Sequence, residues 1–266
     1  MTVAILGAGV MGETLLSGLL RSGHQSADIV VSSRRAERGA ELTERYGVLS
    51  VGNATAAGTA DTLVLCVKPQ DMAGVLDDIA GHVHPGQLVV SLAAGVTTAS
   101  IEARLPEGVP VVRVMPNTAA LVDEGMAAVS GGSHCRDEHV STAMDLLRST
   151  GRVIRVPEKQ LDAVTAVSGS GPAYLFFVVE AMIEAGVHLG LPRSTATELV
   201  VQTVVGSAKL LRETGEHPTV LREQVTSPGG TTAAAIRQLE DHKVRAAFLT
   251  ALEAARDRSR DLAAGT

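Results

Sequence analysis

The sequence contains no tryptophan, two tyrosines and three phenylalanines among its 266 residues, whereas 45% of the residues are hydrophobic. Its cores must therefore be built from aliphatic side chains. Two cysteines are too few for a disulfide framework or a zinc site, and Cys66, inside the apolar run LVLCV, is expected to be an inert core residue. The net charge is −6 with basic and acidic residues interspersed, which excludes the basic footprint of a nucleic-acid-binding protein.

Long uninterrupted hydrophobic runs are also absent. The longest apolar stretch, AYLFFVVEAMIEAGV (173–187), is broken by Glu180 and Glu184 and is expected to be too short to cross a bilayer. The first residues, MTVAILGAG, lack the basic segment of a signal peptide. These features predict a soluble cytoplasmic protein whose partners include neither a membrane nor a nucleic acid.

The first part of the chain, residues 1–156, alternates short β-branched runs with helical stretches, which predicts an α/β domain with a doubly wound sheet. The runs are continuously apolar, as expected of parallel strands that are covered on both faces. The predicted strands are 3–7, 28–33, 61–67, 87–93 and 109–115, with 126–130 and 152–156 extending the sheet. The predicted helices between them are 11–22, 35–46, 70–80 and 97–104.

The second part, residues 157–266, is predicted to be an all-helical domain. Its helices are apolar on more than one face, which indicates burial against something besides each other, and a second copy of the chain is the simplest candidate. The sequence therefore predicts a homodimer. The predicted helices are 158–190, 193–214, 217–224 and 230–262, with breaks at 169–172, 190–192 and 227–230.

A glycine-rich loop, GAGVMG, follows the first predicted strand and opens a helix, which is the context that gives the G-x-G-x-x-G pattern its meaning. The glycines permit a tight turn, close approach of a pyrophosphate, and close packing of helix on strand. The alternative is a turn without a ligand. The loop predicts a Rossmann-like domain whose cofactor-binding residues include Gly7, Ala8, Gly9, Val10, Met11 and Gly12.

The end of the second predicted strand reads VSSRR, without the acidic residue that NAD enzymes place there for the ribose hydroxyls. Hydroxyl and guanidinium groups suit a 2′-phosphate, so Ser33 and Arg34 predict NADPH, with NADH as a possible substitute. The alternative is a solvated pair of charges at a helix start.

Three further strands end in small or turn-forming residues, at VKP, AAG and MPNT. Because parallel strands present their carboxyl ends at one edge, these segments predict the floor of the cofactor groove, including Val67, Lys68, Ala93 and Ala94. A positioning role for Lys68 is favoured over catalysis, and Asn117 fits either a turn or a ligand contact. No metal site is predicted, since His82 and His84 have no accompanying carboxylate or cysteine.

The segment VTSPGGTT (225–232) places four hydroxyl side chains around Pro-Gly-Gly, just before a predicted helix. Unsatisfied N–H groups at a helix start attract an anion, and glycines allow it to approach closely. The alternative is that Thr226 or Ser227 merely caps the helix.

Together with VKPQ, SLAAGV, RVMPNT, DAVTAVSGSGPAY and GLPR, the GAGVMG and VTSPGGTT segments resemble pyrroline-5-carboxylate reductases from end to end. The resemblance implies a Rossmann domain, a helical domain interlocked with a second subunit, and assembly of dimers into rings. It implies reduction of 1-pyrroline-5-carboxylate to L-proline by NAD(P)H, the last step of proline synthesis.

The resemblance also assigns residues. It places cofactor contacts at Ser33, Asn53, Val67, Lys68 and Ala94, besides the glycine loop. It places substrate contacts at Glu158, Ser227, Gly230, Thr231 and Thr232, with the Thr232 hydroxyl directed at the ring nitrogen as the catalytic contact. One departure is Gly215, where some relatives carry a substrate-side glutamate that Glu216 would have to replace.

Two other functions fit parts of the sequence. A β-hydroxyacid dehydrogenase-like oxidoreductase shares the G-x-G-x-M-G start and a helical C-terminal domain, but it requires a lysine in the first long helix of that domain, and residues 169–190 contain none. A non-catalytic NADP-binding regulator would have no reason to keep the VTSPGGTT segment.

Overall fold

A computed structural model describes residues 1–264. Its first part contains one eight-stranded sheet in the order β3-β2-β1-β4-β5-β6-β7-β8. All neighbouring strands are parallel except β6 and β7, which are antiparallel. The strands are β1 (Val3–Leu6), β2 (Ile29–Ser32), β3 (Leu49–Ser50), β4 (Thr62–Leu65), β5 (Leu88–Ser91), β6 (Val111–Met115), β7 (Gly125–Gly131) and β8 (Gly151–Arg155).

Helices cover both faces of this sheet, and each face has its own aliphatic core. Alternate residues of one strand serve the two cores: Ile5 belongs to one, and Ala4 and Leu6 belong to the other. This is why the central strands read as continuous apolar runs. The helices are α1 (Val10–Arg21), α2 (Ala36–Tyr46), α3 (Asn53–Thr59), α4 (Met72–Ile79), α5 (Thr98–Glu102) and α6 (Asp137–Leu147).

Every predicted strand and helix of this part is present, with bounds that differ by three residues or fewer. Three elements were not predicted: β3, α3 and α6. The strand β3 has only two residues, and the Ala-, Thr- and Gly-rich α3 shows no apolar periodicity from which a helix could be recognised. The α/β fold class is confirmed.

The remaining described residues are helical, as predicted. A 3₁₀ turn (Glu158–Gln160) precedes α7, and a π-helical turn (Thr165–Gly169) follows it. The α-helices are α7 (Leu161–Val164), α8 (Gly171–His188), α9 (Arg193–Thr214), α10 (Pro218–Gln224), α11 (Thr231–Asp241) and α12 (Val244–Ala264).

The predicted break at 169–172 is present as a bend at Ser170, between the π-helical turn and α8, where the Ser170 N–H donates to the Thr165 carbonyl (2.8 Å). One prediction about this helical part is wrong. The predicted single helix 230–262 is interrupted, because Lys243 adopts a left-handed conformation (φ 58°) between α11 and α12. No glycine or proline marks that interruption in the sequence.

The helices α8 and α9 carry apolar side chains that nothing in the described chain covers. No residue of α8 is buried, and in α9 only Ala196 and Val200 are buried. Phe176 and Phe177, for example, are 68% and 72% exposed. Single exposed apolar residues are common on protein surfaces, but two adjacent phenylalanines with further exposed apolar neighbours are not. The prediction of helices that are apolar on several faces is confirmed.

The run Glu158–His188 is also long and apolar enough to cross a membrane by length and composition, contrary to the expectation from its sequence. One such helix is weak evidence by itself.

The described residues divide into two compact units, one formed by Met1–Ser170 with Ala255–Ala264, the other by Gly171–Ala254. The whole of α7 and the π-helical turn thus cluster with the sheet, as does the C-terminal part of α12. The predicted domain boundary between residues 156 and 157 lies within the first unit. The division into a cofactor-binding domain and a substrate-binding domain at that point stays a prediction.

Candidate functional site

The strands β1, β2 and β4 are neighbours in the sheet and point their carboxyl ends at the same edge. This is where the strand order reverses, the place at which open α/β sheets bind ligands. A cleft of about 720 Å³ lies there. Its lining residues are Gly7, Ala8, Gly9, Ser32, Ser33, Arg34, Arg35, Arg38, Gly52, Asn53, Cys66, Val67, Lys68, Asp71, Gly74, Val75 and Asp78.

The three glycines of the loop after β1 have three distinct environments. Gly7 has φ +88°, and a Cβ there would lie 2.5 Å from Val67 Cγ1, so only glycine is compatible with this turn. A Cβ on Gly12 would lie 2.9 Å from the Gly7 carbonyl oxygen, which reflects close packing of α1 on the loop. A Cβ on Gly9 would meet no atom within 4 Å. Gly9 therefore borders open space, and that space is the cleft.

The first turn of α1 faces this open space without a side-chain cap. Gly9 is the N-cap residue and supplies no side chain, so N–H groups of the first turn remain for a ligand. Anions bind at such helix starts because the N–H groups and the helix dipole both favour negative charge. The residues present therefore fit the pyrophosphate of a dinucleotide.

The end of β2 supplies polar groups to the neighbouring wall. The Ser32 hydroxyl donates to Asn53 Oδ1 (2.6 Å), and Asn53 Nδ2 donates to Asp78 Oδ2 (3.0 Å). Arg34 has a largely exposed side chain that reaches Asp71 at 3.3 Å. The predicted residues Ser33, Arg34 and Asn53 thus lie on one cleft with the glycine loop.

The opposite wall was not predicted. It is formed by Asp71, Gly74, Val75 and Asp78, which share one face of the 3₁₀ turn Pro69–Asp71 and of α4. Their spacing of three, four and seven residues within the predicted helix 70–80 is the signal that could have identified them. Arg35, the second guanidinium group of the VSSRR segment, lines the cleft as well, whereas Arg38 in the first turn of α2 was not predicted.

Some predicted cofactor residues do not line the cleft. Val10, Gly12, Ala93 and Ala94 are not among its lining residues, and Met11 lines a separate narrow cavity next to Pro116 and Asn117. Gly12 is buried and acts through packing. Cofactor contacts from Val10, Met11, Ala93 and Ala94 stay predictions.

Asn117, which the sequence left undecided, stabilises a turn. Its Oδ1 accepts a hydrogen bond from the Met126 N–H (3.0 Å), and its Nδ2 lies 3.4 Å from the Ser168 hydroxyl. Beside it, a Cβ on Gly169 would overlap the Met115 side chain, so the small residues of VSGSG allow the π-helical turn to pack closely on the end of β6.

Glu158, a predicted substrate contact, is engaged within the first unit. Its two carboxylate oxygens accept hydrogen bonds from the Thr98 N–H (2.8 Å) and the Thr98 hydroxyl (2.7 Å). The guanidinium of Arg113, which is buried, lies 3.3 Å away. These bonds give Glu158 a structural role at the start of α5. A contact with substrate would have to be made in addition, and it stays a prediction.

The segment 226–232 joins α10 to α11 in the second unit. Gly229 has φ +69°, and the Gly230 N–H donates to the Ser227 carbonyl (3.0 Å), so the turn is closed by its own backbone. The N–H of Gly230 is therefore already used within the turn. Thr231 and Thr232 begin α11, and neither of their N–H groups has a hydrogen-bond partner within the described chain.

The helix-capping alternative is not what the structure contains. The N-cap residue of α11 is Gly230, which has no side chain. The Thr226 hydroxyl donates to the Arg222 carbonyl (2.6 Å) and so belongs to the end of α10. The start of α11 is consequently left for an external acceptor, with Ser227 and Thr231 exposed and Thr232 half-buried beside it.

Neither cysteine has the properties of a nucleophile. Burial raises the pKa of the Cys66 thiol to about 12, and burial also raises the pKa of Cys135. Among residues 1–264, no cluster of three histidine, cysteine or acidic side chains could hold a metal ion.

The sheet order, the glycine loop and the cleft define a dinucleotide-binding protein of the Rossmann class. A family model described as pyrroline-5-carboxylate reductase dimerisation matches residues 158–262, and one described as NADP oxidoreductase, coenzyme F420-dependent, matches residues 2–95. The chain is 48% identical over 265 residues to the pyrroline-5-carboxylate reductase of Corynebacterium melassecola, with 98% of each chain covered.

Solved structures agree. That of a pyrroline-5-carboxylate reductase from Coxiella burnetii has a TM-score of 0.92 at 38% identity, with 98% of each chain covered. That of the Plasmodium falciparum pyrroline carboxylate reductase, which contains NADP, has a TM-score of 0.88 at 27% identity and covers 99% of this chain and 98% of that one.

The chain belongs to the pyrroline-5-carboxylate reductase family. This confirms the resemblance stated from the motifs, the Rossmann domain with a helical dimerisation domain, and NAD(P)H as the cofactor. Membership of the β-hydroxyacid dehydrogenases is thereby set aside.

Proposed function

We propose that the protein reduces 1-pyrroline-5-carboxylate to L-proline in the cytoplasm, with NADPH preferred over NADH. Residues 1–156 hold the cofactor, and residues 157–266 hold the substrate and a second subunit. The observation that carries the proposal is the uncapped start of α11. There the N–H groups of Thr231 and Thr232, which have no hydrogen-bond partner among residues 1–264, lie beside the Ser227, Thr231 and Thr232 hydroxyls.

For the cofactor, we assign the pyrophosphate to the N–H groups at the start of α1, beside Gly9. We assign the 2′-phosphate to Ser33 and Arg34, which line the cleft, because hydroxyl groups and planar guanidinium groups pair well with phosphate oxygens. Arg34 is paired with Asp71 at 3.3 Å with 86% of its side chain exposed, so this weak surface pair can be exchanged for a phosphate.

For the substrate, we assign the carboxylate to the N–H groups of Thr231 and Thr232 and to the Ser227 hydroxyl. The helix dipole at the start of α11 favours the same negative charge. Gly230 keeps this approach open, since any side chain there would overlap the Ser227 hydroxyl. The Thr232 hydroxyl is assigned to the ring nitrogen.

The chemistry requires little from acid–base side chains. When bound, NAD(P)H supplies a hydride, and the acceptor is the carbon of the C=N bond, which is already electrophilic when its nitrogen is protonated. The protein's contribution is to hold the ring in one orientation by its carboxylate and nitrogen. The Thr232 hydroxyl holds the protonated ring nitrogen, and this nitrogen keeps its proton when it becomes the amine of the product.

Purified protein mixed with 1-pyrroline-5-carboxylate and NADPH should oxidise the NADPH and release an equal amount of L-proline, measured by absorbance and by chromatography. A non-catalytic NADP-binding regulator would bind NADPH and produce no proline. That result would overturn the proposal.

The role of Thr232 has its own test. A hydrogen bond to a charged group contributes about 1.5–3 kcal/mol, so Thr232→Ala should lower kcat/KM by roughly ten- to a hundredfold if the bond is made in the transition state. Thr232→Ser restores the hydroxyl and should recover much of the loss. NADPH titration should be unchanged in both variants, because Thr232 is not among the residues that line the cleft. Wild-type kcat/KM in a correctly assembled Thr232→Ala protein would leave Thr232 an ordinary first-turn residue.

We assign the exposed apolar faces of α8 and α9 to a second subunit rather than to a bilayer. Both helices lie inside the region matched by the dimerisation family model. Charged side chains also lie along them, including the Glu184–Arg193 ion pair (2.7 Å). The proposed assembly is a homodimer, with a ring of dimers as the larger form.

A further inference from the structure

Next to the glycine loop lies a group of three charged side chains and one tyrosine that the motifs did not indicate, formed by Glu13, Arg38, Arg45 and Tyr46. Glu13 is in the first turn of α1, where its N–H donates to the Gly9 carbonyl (2.9 Å). Its carboxylate accepts hydrogen bonds from Arg38 on one oxygen, and from Arg45 (2.6 Å) and Tyr46 (2.8 Å) on the other. We call this group the Glu13 cluster.

Arg38 connects the Glu13 cluster to the glycine loop itself. Its Nε donates to the Ala8 carbonyl at 3.2 Å, one Nη donates to Glu13, and the other donates to Glu41 at 3.0 Å. All three guanidinium nitrogens are therefore used, and the side chain is only 15% exposed. An arginine that makes several hydrogen bonds and is largely buried fixes the position of its partners far better than an exposed ion pair does.

The position of Glu13 poses an electrostatic problem for cofactor binding. A carboxylate in the first turn is favourable for the helix alone. The same helix end must receive a pyrophosphate, whose negative charge an uncompensated carboxylate would repel. Two guanidinium groups surround this carboxylate. Burial alone would raise the pKa of Glu13, but hydrogen bonds from Arg38 and Tyr46 and the two arginine charges bring it below its usual range.

We propose that Arg38 is a positioning residue for the dinucleotide pyrophosphate, holding the glycine loop through the Ala8 carbonyl and neutralising Glu13. This inference rests on the proposed cofactor site and adds to it a residue outside the G-x-G-x-x-G motif. Its consequence is specific. Arg38 acts on the part of the cofactor that NADH and NADPH share, so its loss must weaken both to the same degree.

The test is titration of the intact protein with NADH and with NADPH, without substrate, so that its outcome does not depend on which substrate is reduced. Arg38→Met should raise both dissociation constants by the same factor, about tenfold, equivalent to one charge-assisted hydrogen bond. Arg38→Lys keeps a charge near Glu13 but loses the donor to Ala8, and should give a smaller, equally shared increase. Arg34→Met is the matched control and should weaken NADPH only.

A second substitution distinguishes the proposed role of Arg38, which is to position the loop and neutralise Glu13, from a general loss of folded structure. In Arg38→Met the Glu13 carboxylate keeps only Arg45 and Tyr46 as partners. The double variant Glu13→Gln/Arg38→Met removes this partly compensated charge, so both dissociation constants should fall back part of the way from those of Arg38→Met. Thermal unfolding without ligand identifies any variant that is not folded, in which case Arg38→Lys carries the test. If only the dissociation constant for NADPH increased, Arg38 would act on the 2′-phosphate, and the proposal would be overturned. Unchanged dissociation constants for both cofactors would also overturn it.

Discussion

Replacing Gly9 by alanine should separate cofactor binding from folding. Gly9 has φ −75° and ψ −158°, an extended conformation that alanine adopts readily, and the added Cβ would meet no atom within 4 Å. The fold should therefore tolerate the change within about 0.5 kcal/mol. The added methyl group would stand in the space from which a pyrophosphate approaches the start of α1.

The expected loss of affinity follows from the bonds that the methyl group obstructs. A hydrogen bond between a backbone N–H and a charged phosphate oxygen contributes about 1.5–3 kcal/mol. Obstructing one such bond should raise the Kd for NADPH roughly ten- to a hundredfold, since each 1.4 kcal/mol is about a factor of ten. NADH should be affected equally, because the two cofactors share the pyrophosphate.

Gly7→Ala is the contrasting variant. Gly7 has φ +88°, and its Cβ would lie 2.5 Å from Val67 Cγ1 and 2.9 Å from the Val67 nitrogen. Backbone strain of this kind costs about 1–3 kcal/mol before the overlap is counted. This variant should lose thermal stability and affinity together. Thermal unfolding measures the stability of the two variants, and fluorescence titration measures their affinity for NADPH. Full NADPH affinity in Gly9→Ala, or equal destabilisation of the two variants, would refute the assignment.

Three further predictions concern the cofactor, the assembly and acid stability. Ser33→Asp should repel a 2′-phosphate and shift kcat/KM towards NADH, and a wild-type enzyme that already prefers NADH would contradict the assignment. The protein should sediment as a dimer or a multiple of one at micromolar concentration, because α8 and α9 are uncovered in one chain, and an active monomer would contradict this. Hydrogen bonds from the Thr2 N–H and hydroxyl lower the pKa of Asp61, so its stabilising effect is complete above the unfolded pKa and is lost as the pH falls through the folded value. Asp61→Asn should lower the Tm at neutral pH, and the difference from wild type should close in acid; a difference that is independent of pH would contradict it.

Much of the first unit was predictable because its signals are local. A buried parallel strand is an apolar run such as VAILG, and a glycine loop is a short pattern in a fixed context. The rule that ligands bind at the carboxyl ends of parallel strands predicted that Gly9 and Ser33 lie around one cleft, and the family resemblance added Asn53 to them. The strand β3 could not be found in this way, since two residues do not form a pattern.

The Glu13 cluster and the Arg113–Glu158 pair were not predictable from the sequence alone. Glu13 meets Arg38 across 25 positions of sequence, and Arg113 meets Glu158 across 45. No local periodicity relates such residues. Their meeting depends on how α2 packs beside α1 and on where α7 begins relative to β6. Family resemblance assigned Glu158 to substrate by position, and only the fold reveals that its two oxygens already have partners.

The four hydroxyls of VTSPGGTT illustrate most directly what the sequence alone cannot predict about the site. From sequence they form one signal, because four small donors around Pro-Gly-Gly exceed what a turn needs. In the structure they have separate positions: Thr226 bonds back to α10, the Ser227 hydroxyl occupies the space that a side chain on Gly230 would need, and Thr231 and Thr232 begin α11. Only the last three stand where an anion at the helix start could be reached. Thr226, one of the two hydroxyls that the sequence offered as a cap, is thus used by the preceding helix, and the end of α11 to which we assign the substrate has no side-chain cap.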